Sequence, residues 1–140
     1  MPGADAAAAL AQVDLFRGLS ARDLNHIAEM TKEIQFGVGQ AITAEGDAGG
    51  RFYVLVEGEA DVLVGDDVVN RLRSGDAFGE ISLIDGEPRT ATIVATSPVR
   101  TLSLSSWNFR PLLKEHPSIA EGVLLQLCRR LRETEASHLH

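Results

Sequence analysis

At 140 residues the chain can bury one modest hydrophobic core and has no room for a second. Its 44% hydrophobic and 24% charged residues are those of a soluble globular domain, and no apolar run is long enough to cross a bilayer. The net charge of −7 excludes the basic face that nonspecific DNA binding requires, so no direct nucleic-acid partner is expected. One cysteine, Cys128, excludes an internal disulfide. The run from Ala6 to Ala9 is too short for a secretory signal and lacks a basic flank, so the chain is expected in the cytoplasm.

Residues 1–12 are alanine-rich and predicted to be frayed or weakly helical. Ser20, with Asp23 three residues on, has the pattern of an acidic capping box and opens a helix over 21–32. Leu24, Ile27 and Ala28 form its apolar stripe; His26 lies off that stripe and is expected in solvent. From residue 34 to 104 the pattern changes to short apolar or alternating runs between glycine turns, the sign of an antiparallel barrel or jelly roll. Strands are predicted at 35–36, 41–43, 52–56, 60–64, 68–72, 90–95 and 99–104, punctuated at Gly37, Gly39, Gly46, Gly58, Gly65 and Gly75.

Beyond Ser105 the pattern is helical again. A helix over 106–115 is expected to pack through Trp107, Phe109, Leu112 and Leu113, and Pro117 to end it. Ser118 is expected to cap a second helix with a broad apolar face of Ile119, Val123, Leu124, Leu127, Cys128 and Leu131. Cys128 is accordingly expected in packing, buried or at an interface. The predicted fold class is mainly β with flanking α-helices: an antiparallel jelly-roll β-barrel with an N-terminal helix and two C-terminal helices.

The segment with the most chemistry runs over residues 78–95, from Phe78-Gly79-Glu80-Ile81-Ser82-Leu83 to Pro88-Arg89-Thr90-Ala91 and a strand-like tail. Gly79 allows close backbone approach to a ligand, and residues 81–84 can form one helical turn with its amides facing an anion. Arg89, after the conformationally fixed Pro88, has a planar donor fork that suits two phosphate oxygens. Glu80, ionised, can only accept hydrogen bonds, so beside a phosphate it needs a donor such as a ribose 2′-hydroxyl. Phe-Gly-Glu or Pro-Arg-Thr alone would be satisfied by a surface ion pair between Glu80 and Arg89 on a turn. Together at this spacing they read as a binding site.

This segment resembles the phosphate-binding cassette of cyclic nucleotide-binding domains: Phe-Gly-Glu, a small residue and a leucine, then Pro-Arg followed by Ala, Ser or Thr. The resemblance implies a ligand-binding set of Phe78, Gly79, Glu80, Ile81, Ser82, Pro88, Arg89 and Thr90. In it Glu80 holds the ribose hydroxyl, Arg89 the exocyclic phosphate oxygens, and amides near Gly79, Ser82 and Thr90 the phosphate. Val13-Asp14-Leu15-Phe16 before Leu19-Ser20 is similar to the family's opening segment, and Gly46, Gly58 and Gly75 fall where the family places turn glycines. The implied organisation is an N-terminal segment over 1–19 and a single cyclic nucleotide-binding domain over 20–140. Within it, a helix covers 20–32, the β-roll 34–105, and hinge and lid helices 106–137.

In the family the last helix folds over the barrel as a lid. Aligning Asn108-Phe109 and Arg129-Arg130-Leu131 puts Thr134 where bacterial catabolite activators use a threonine on the adenine base, and Arg130 matches a lid arginine of pacemaker-type channels. The implied ligand is cAMP, with cGMP as the alternative because the Thr90 hydroxyl can also accept from the 2-amino group of a syn guanine. No helix-turn-helix follows the lid helix, so output is expected through an effector protein, through homodimerisation of the last helix, or by buffering free nucleotide; a fragment of a longer chain fits equally. No cofactor, metal or membrane partner is expected. A metal-dependent enzyme on a similar barrel would need clustered ligands, yet His26, His116, His138 and His140 lie outside the predicted strands. The other rival class, a ligand-free interaction module, is disfavoured by the intact Glu80 and Arg89.

Overall fold

A computed structural model describes residues 3–13, 16–47, 50–79, 89 and 91–138, the side chains at 3–5, 126, 130 and 134–138 excepted. Two helices, α1 (Gly3–Ala11) and α2 (Ala21–Glu29), precede the strands β1 (Lys32–Phe36), β2 (Ala41–Thr43), β3 (Arg51–Glu57), β4 (Ala60–Val64), β5 (Asp67–Leu72), β6 (Ala77–Phe78), β7 (Thr92–Ala95) and β8 (Val99–Ser105). Helices α3 (Ser106–Glu115) and α4 (Pro117–His138) follow. The strands pair antiparallel in two four-stranded sheets, β1-β8-β3-β6 and β2-β7-β4-β5. This is the antiparallel jelly roll with helices at both ends that the glycine-punctuated pattern predicts.

Successive residues of a strand point to opposite faces, and β3 and β8 use both. Phe52 pairs with Leu104 and Val54 with Leu102, and these four face the helices. There they meet Phe16, Ile27, Phe109, Leu112 and Ile119 in one buried cluster, with the Phe16 ring edge-on to Phe52 at 5.6 Å and tilted against Phe109 at 6.4 Å. The alternate residues Arg51, Tyr53 and Leu55 pair with Ser105, Ser103 and Thr101 and face the roll interior. Leu55 is fully buried there with Ile42, Leu72, Ile93 and Val99.

The N-terminal segment is better ordered than its composition predicts. Ala6 and Leu10, four residues apart on one face of α1, are buried together with Val13 against the helix-facing cluster. Tertiary burial thus supplies what a nine-residue alanine helix lacks on its own. Helix α2 opens as expected, with the Asp23 amide donating to Ser20 Oγ at 3.1 Å. It stops at Glu29 because residues from Lys32 onward pair with β8; the predicted extension to 32 is lost to the sheet. The two-residue strand β6, absent from the sequence reading, carries Phe78 into the interior, where its ring stacks on Tyr53 at 5.2 Å.

Three further expectations at the C-terminal end are corrected. Helix α3 ends at Glu115, ahead of Pro117 as expected, but Pro117 also opens α4, where its missing N–H is no loss at a first helical position. Ser118 therefore lies inside the helix, and its hydroxyl donates to Asp23 Oδ2 at 2.9 Å. Trp107 is 88% exposed, because two residues along a helix turn it about 200° from Phe109, which faces the core. The buried stripe of α4 is also narrower than predicted. Ile119 and Val123 are buried and Leu127 partly so, whereas Leu124, Leu125, Leu131 and Cys128 are exposed.

Candidate ligand-binding site

The inner face of β3 and β8 changes character toward the start of β3. Leu55 is surrounded by aliphatic groups, Tyr53 lies between Phe36 and Phe78, and Arg51 reaches Ser103, donating from Nη1 to its Oγ at 3.0 Å. Beyond Tyr53 the interior opens into a pocket of about 510 Å³ lined by Ile42, Thr43, Asp47, Gly50, Arg51, Tyr53, Arg89, Ser105, Ser106 and Trp107. That size is usual for a small-molecule site, and so is the mixture of a few aromatic groups with convergent polar ones. Among its described lining residues the charged groups are two arginines and one aspartate, in a chain whose net charge is −7. The local balance favours an anion that the global field repels. The first residues of α3 line the same space, so the partially positive end of that helix adds to it.

Arg89 is fixed on both sides of its backbone. Its amide donates to the Asp47 carbonyl at 2.8 Å, and its carbonyl accepts from the Gly46 amide at 2.9 Å, which ties it to the turn after β2. Gly46 can make that turn because its φ is +85°. The guanidinium lies over the start of β3, where Nη2 donates to the Arg51 carbonyl. Gly79 is what lets it lie there. Its φ is +93°, and a Cβ at this position would sit 2.5 Å from Arg89 Nη1 and 2.6 Å from the Arg51 carbonyl oxygen. The predicted close approach at Gly79 is therefore made, in this structure, to Arg89 and the β3 backbone.

The structure brings Phe78, Gly79 and Arg89 to one end of the roll, Phe78 within the interior stack and Arg89 on the pocket wall. Glu80, Ile81, Ser82, Pro88 and Thr90 lie outside the described residues. Arg130 and Thr134 fall on α4, but their side chains are outside the description; no described residue of α4 lines the pocket. Sequence reasoning missed Arg51, Thr43, Tyr53 and the Ser105-Ser106-Trp107 rim. The signal for Arg51 was available: it is two residues before Tyr53 and four before Leu55, hence on the same inward face of a period-two strand. Reading 52–56 as the strand left it out by one residue.

The described helices include none long and apolar enough to cross a membrane. A profile of the family described as "Cyclic nucleotide-binding domain" matches residues 33–116. A cAMP-dependent protein kinase regulatory subunit from Colletotrichum orbiculare is 39% identical over 106 residues, covering 74% of this chain and 27% of that protein. A CRP-like cAMP-activated global transcriptional regulator from Mycobacterium tuberculosis is 32% identical over 135 residues, covering 89% of this chain and 58% of the regulator. The crystal structure of the Thermus thermophilus catabolite activator protein superposes with a TM-score of 0.79 at 27% identity, over 89% of this chain and 61% of that one. The chain thus spans about a quarter of the kinase subunit and under two thirds of the two bacterial regulators. With the profile covering more than half of the chain and all of the roll but its first residue, this protein belongs to the cyclic nucleotide-binding domain family.

Proposed function

We propose that the chain is a regulatory sensor that binds cAMP in the pocket beside Arg89 and catalyses no reaction. The observation that carries this reading is the placement of Arg89. Its backbone is pinned to the Gly46–Asp47 turn and its guanidinium crosses Gly79 at the mouth of a pocket whose cationic groups outnumber its carboxylates. A guanidinium preorganised in this way can engage two phosphate oxygens with little further loss of side-chain freedom. Amides near Gly79, Ser82 and Thr90 would share the phosphate, and Glu80 would accept from the ribose 2′-hydroxyl. The relatives named for cAMP favour the adenine nucleotide, and the same names, a regulatory subunit and a transcriptional regulator, favour regulation over catalysis. Arg130 and Thr134 on α4 are proposed as base-side contacts, and α4 as the element that passes occupancy on, to an effector protein or to a second copy.

A second reading, cGMP in the same pocket, rests on the Thr90 hydroxyl. Calorimetric titration of nucleotide-stripped protein with cAMP and cGMP in parallel separates the two by affinity ratio. Saturable binding of either nucleotide supports the sensor; no heat and no thermal stabilisation with either would leave an interaction module that retains the fold. The ribose assignment has its own test. Glu80→Gln should weaken cAMP binding yet have little effect on 2′-deoxy-cAMP, and equal losses with both ligands would remove it.

A further inference from the structure

The fold joins two histidines that are 90 positions apart in sequence. His26 is on α2 and His116 is the residue between α3 and α4, and their rings lie 4.7 Å apart at an interplanar angle of 58°. Glu115 completes the group: one donor atom from each of His26, Glu115 and His116 lies within 4.8 Å of the others. Both imidazoles are half-buried and Glu115 is exposed, so the site is open on one side. We propose that His26, His116 and Glu115 bind one divalent cation of the zinc class, which clamps α2 to the α3–α4 junction.

The donor set argues for the class of metal. Two imidazoles and a carboxylate match zinc and its borderline neighbours, whereas magnesium and calcium require mostly oxygen. Metal–ligand bonds of about 2.0–2.2 Å at tetrahedral angles put donors roughly 3.3–3.6 Å apart, so donors now within 4.8 Å of one another must approach by at most about 1.5 Å, a closure that rotation of the exposed glutamate and the two imidazoles can supply.

A carboxylate stands near His116. Its Nδ1 lies 3.8 Å from Asp23 Oδ1, longer than a hydrogen bond; a closure of somewhat under about 1 Å would put that carboxylate behind the imidazole, the arrangement that orients metal-bound histidines, and leave Nε2 to ligate. Asp23 is itself held, accepting from Ser118 Oγ at 2.9 Å while its amide donates to Ser20. The His116 backbone is fixed by its amide donating to the Leu112 carbonyl at 2.9 Å and its carbonyl accepting from the Ile119 amide at 2.9 Å. None of these residues is among the described lining of the pocket beside Arg89, which meets the opposite end of α3.

The test is a zinc titration of the metal-stripped chain against a competing chromophoric chelator, without nucleotide. It is made in a His138→Asn/His140→Asn background, which removes two tail imidazoles. The expected result is one zinc per chain, a raised Tm, and a loss of affinity of at least about tenfold in His26→Ala and again in Asp23→Asn. Cobalt substituted for zinc should show a visible d–d band without the intense thiolate band that Cys128 ligation would give. Should His26→Ala fold poorly, His26→Asn and Glu115→Gln make the same comparison. Absence of saturable zinc binding in the tail-substituted chain, or full affinity in every ligand variant, would overturn the site. Cyclic nucleotide titration of the same proteins is a separate readout, so failure of one reading does not pass to the other.

Discussion

The two faces of the β1-β8-β3-β6 sheet do different work with the same strands. The helix-facing side is apolar where β3 and β8 meet the helices, with Phe52, Val54, Leu102 and Leu104 buried beneath Phe16, Phe109 and Ile119, and turns polar only toward Glu33, Gln35 and Arg100 at the β1 end. The inner side begins in the same way at Leu55, but its row continues through Tyr53 to Arg51, and through Thr101 and Ser103 to Ser105. Two of those hydroxyls are spent within the fold, Thr101 donating to the Ile34 carbonyl and Ser103 accepting from Arg51. Burial on one face stabilises the domain; on the other, polar groups bought into the interior hold a guanidinium and shape a pocket. Stability and binding should therefore respond separately to substitutions on the two sides.

The largest expected effect belongs to the apolar face. Phe109→Ala removes a ring with no exposed surface from the centre of the helix-facing cluster and should cost about 3–5 kcal/mol, read from urea denaturation. The folded fraction should bind cAMP as the wild type does; a lower intrinsic affinity would show that the faces are coupled. Arg89→Ala is the mirror case. Its cAMP affinity should fall by about 10- to 150-fold, the equivalent of the roughly 1.5–3 kcal/mol of a charged hydrogen bond, with a much smaller change in the ligand-free Tm.

Gly79→Ala should touch both properties. A non-glycine residue at this positive φ costs roughly 1–2 kcal/mol, and the added Cβ must displace either the Arg89 guanidinium or the β3 carbonyl. Weaker cAMP binding together with a lower Tm is expected; loss of stability with unchanged affinity would detach Gly79 from the site. Ser20→Ala, outside the described pocket lining, should cost about 1 kcal/mol of stability through the lost cap and leave affinity alone.

The smallest effect concerns acid. Hydrogen bonds from Gln35 and then Arg100 hold the Glu33 carboxyl below its ordinary range. Because the folded form then binds fewer protons than the unfolded chain, the contribution is present above the unfolded pKa and is lost as pH falls through the folded one. Glu33→Gln should slightly flatten the acid limb of a Tm-versus-pH curve, and an unchanged limb would remove the contribution.

The legibility of the chain divides along the same sheet. Helical periodicity named the apolar side residue by residue at Ile27, Phe109 and Ile119, since burial selects side-chain type directly, whereas the continuous apolar run of strand 52–56 did not show which of its residues face the helices. Pairing across long sequence separations left no such trace. Arg51 was missed because an arginine at a strand end looks like a polar boundary, and only the register with Ser105 and Ser103 turns it inward. His26 and His116 were assigned separately, the first to solvent, because neither helix pattern shows that Asp23 and Ser118 draw α2 onto the start of α4. The cassette motif, conversely, identified Arg89 before any geometry, while the surroundings that fix it, the Gly46–Asp47 turn and the Arg51 carbonyl, come from elsewhere in the chain.

The most direct test of the account is calorimetric titration of cAMP into wild-type and Arg89→Ala proteins under identical conditions, each stripped of carried-over nucleotide. The account predicts saturable one-site binding to the wild type and a loss of about tenfold or more in the variant, with both proteins folded by their melting curves. Equal affinities, or no binding to a folded wild type, would contradict it.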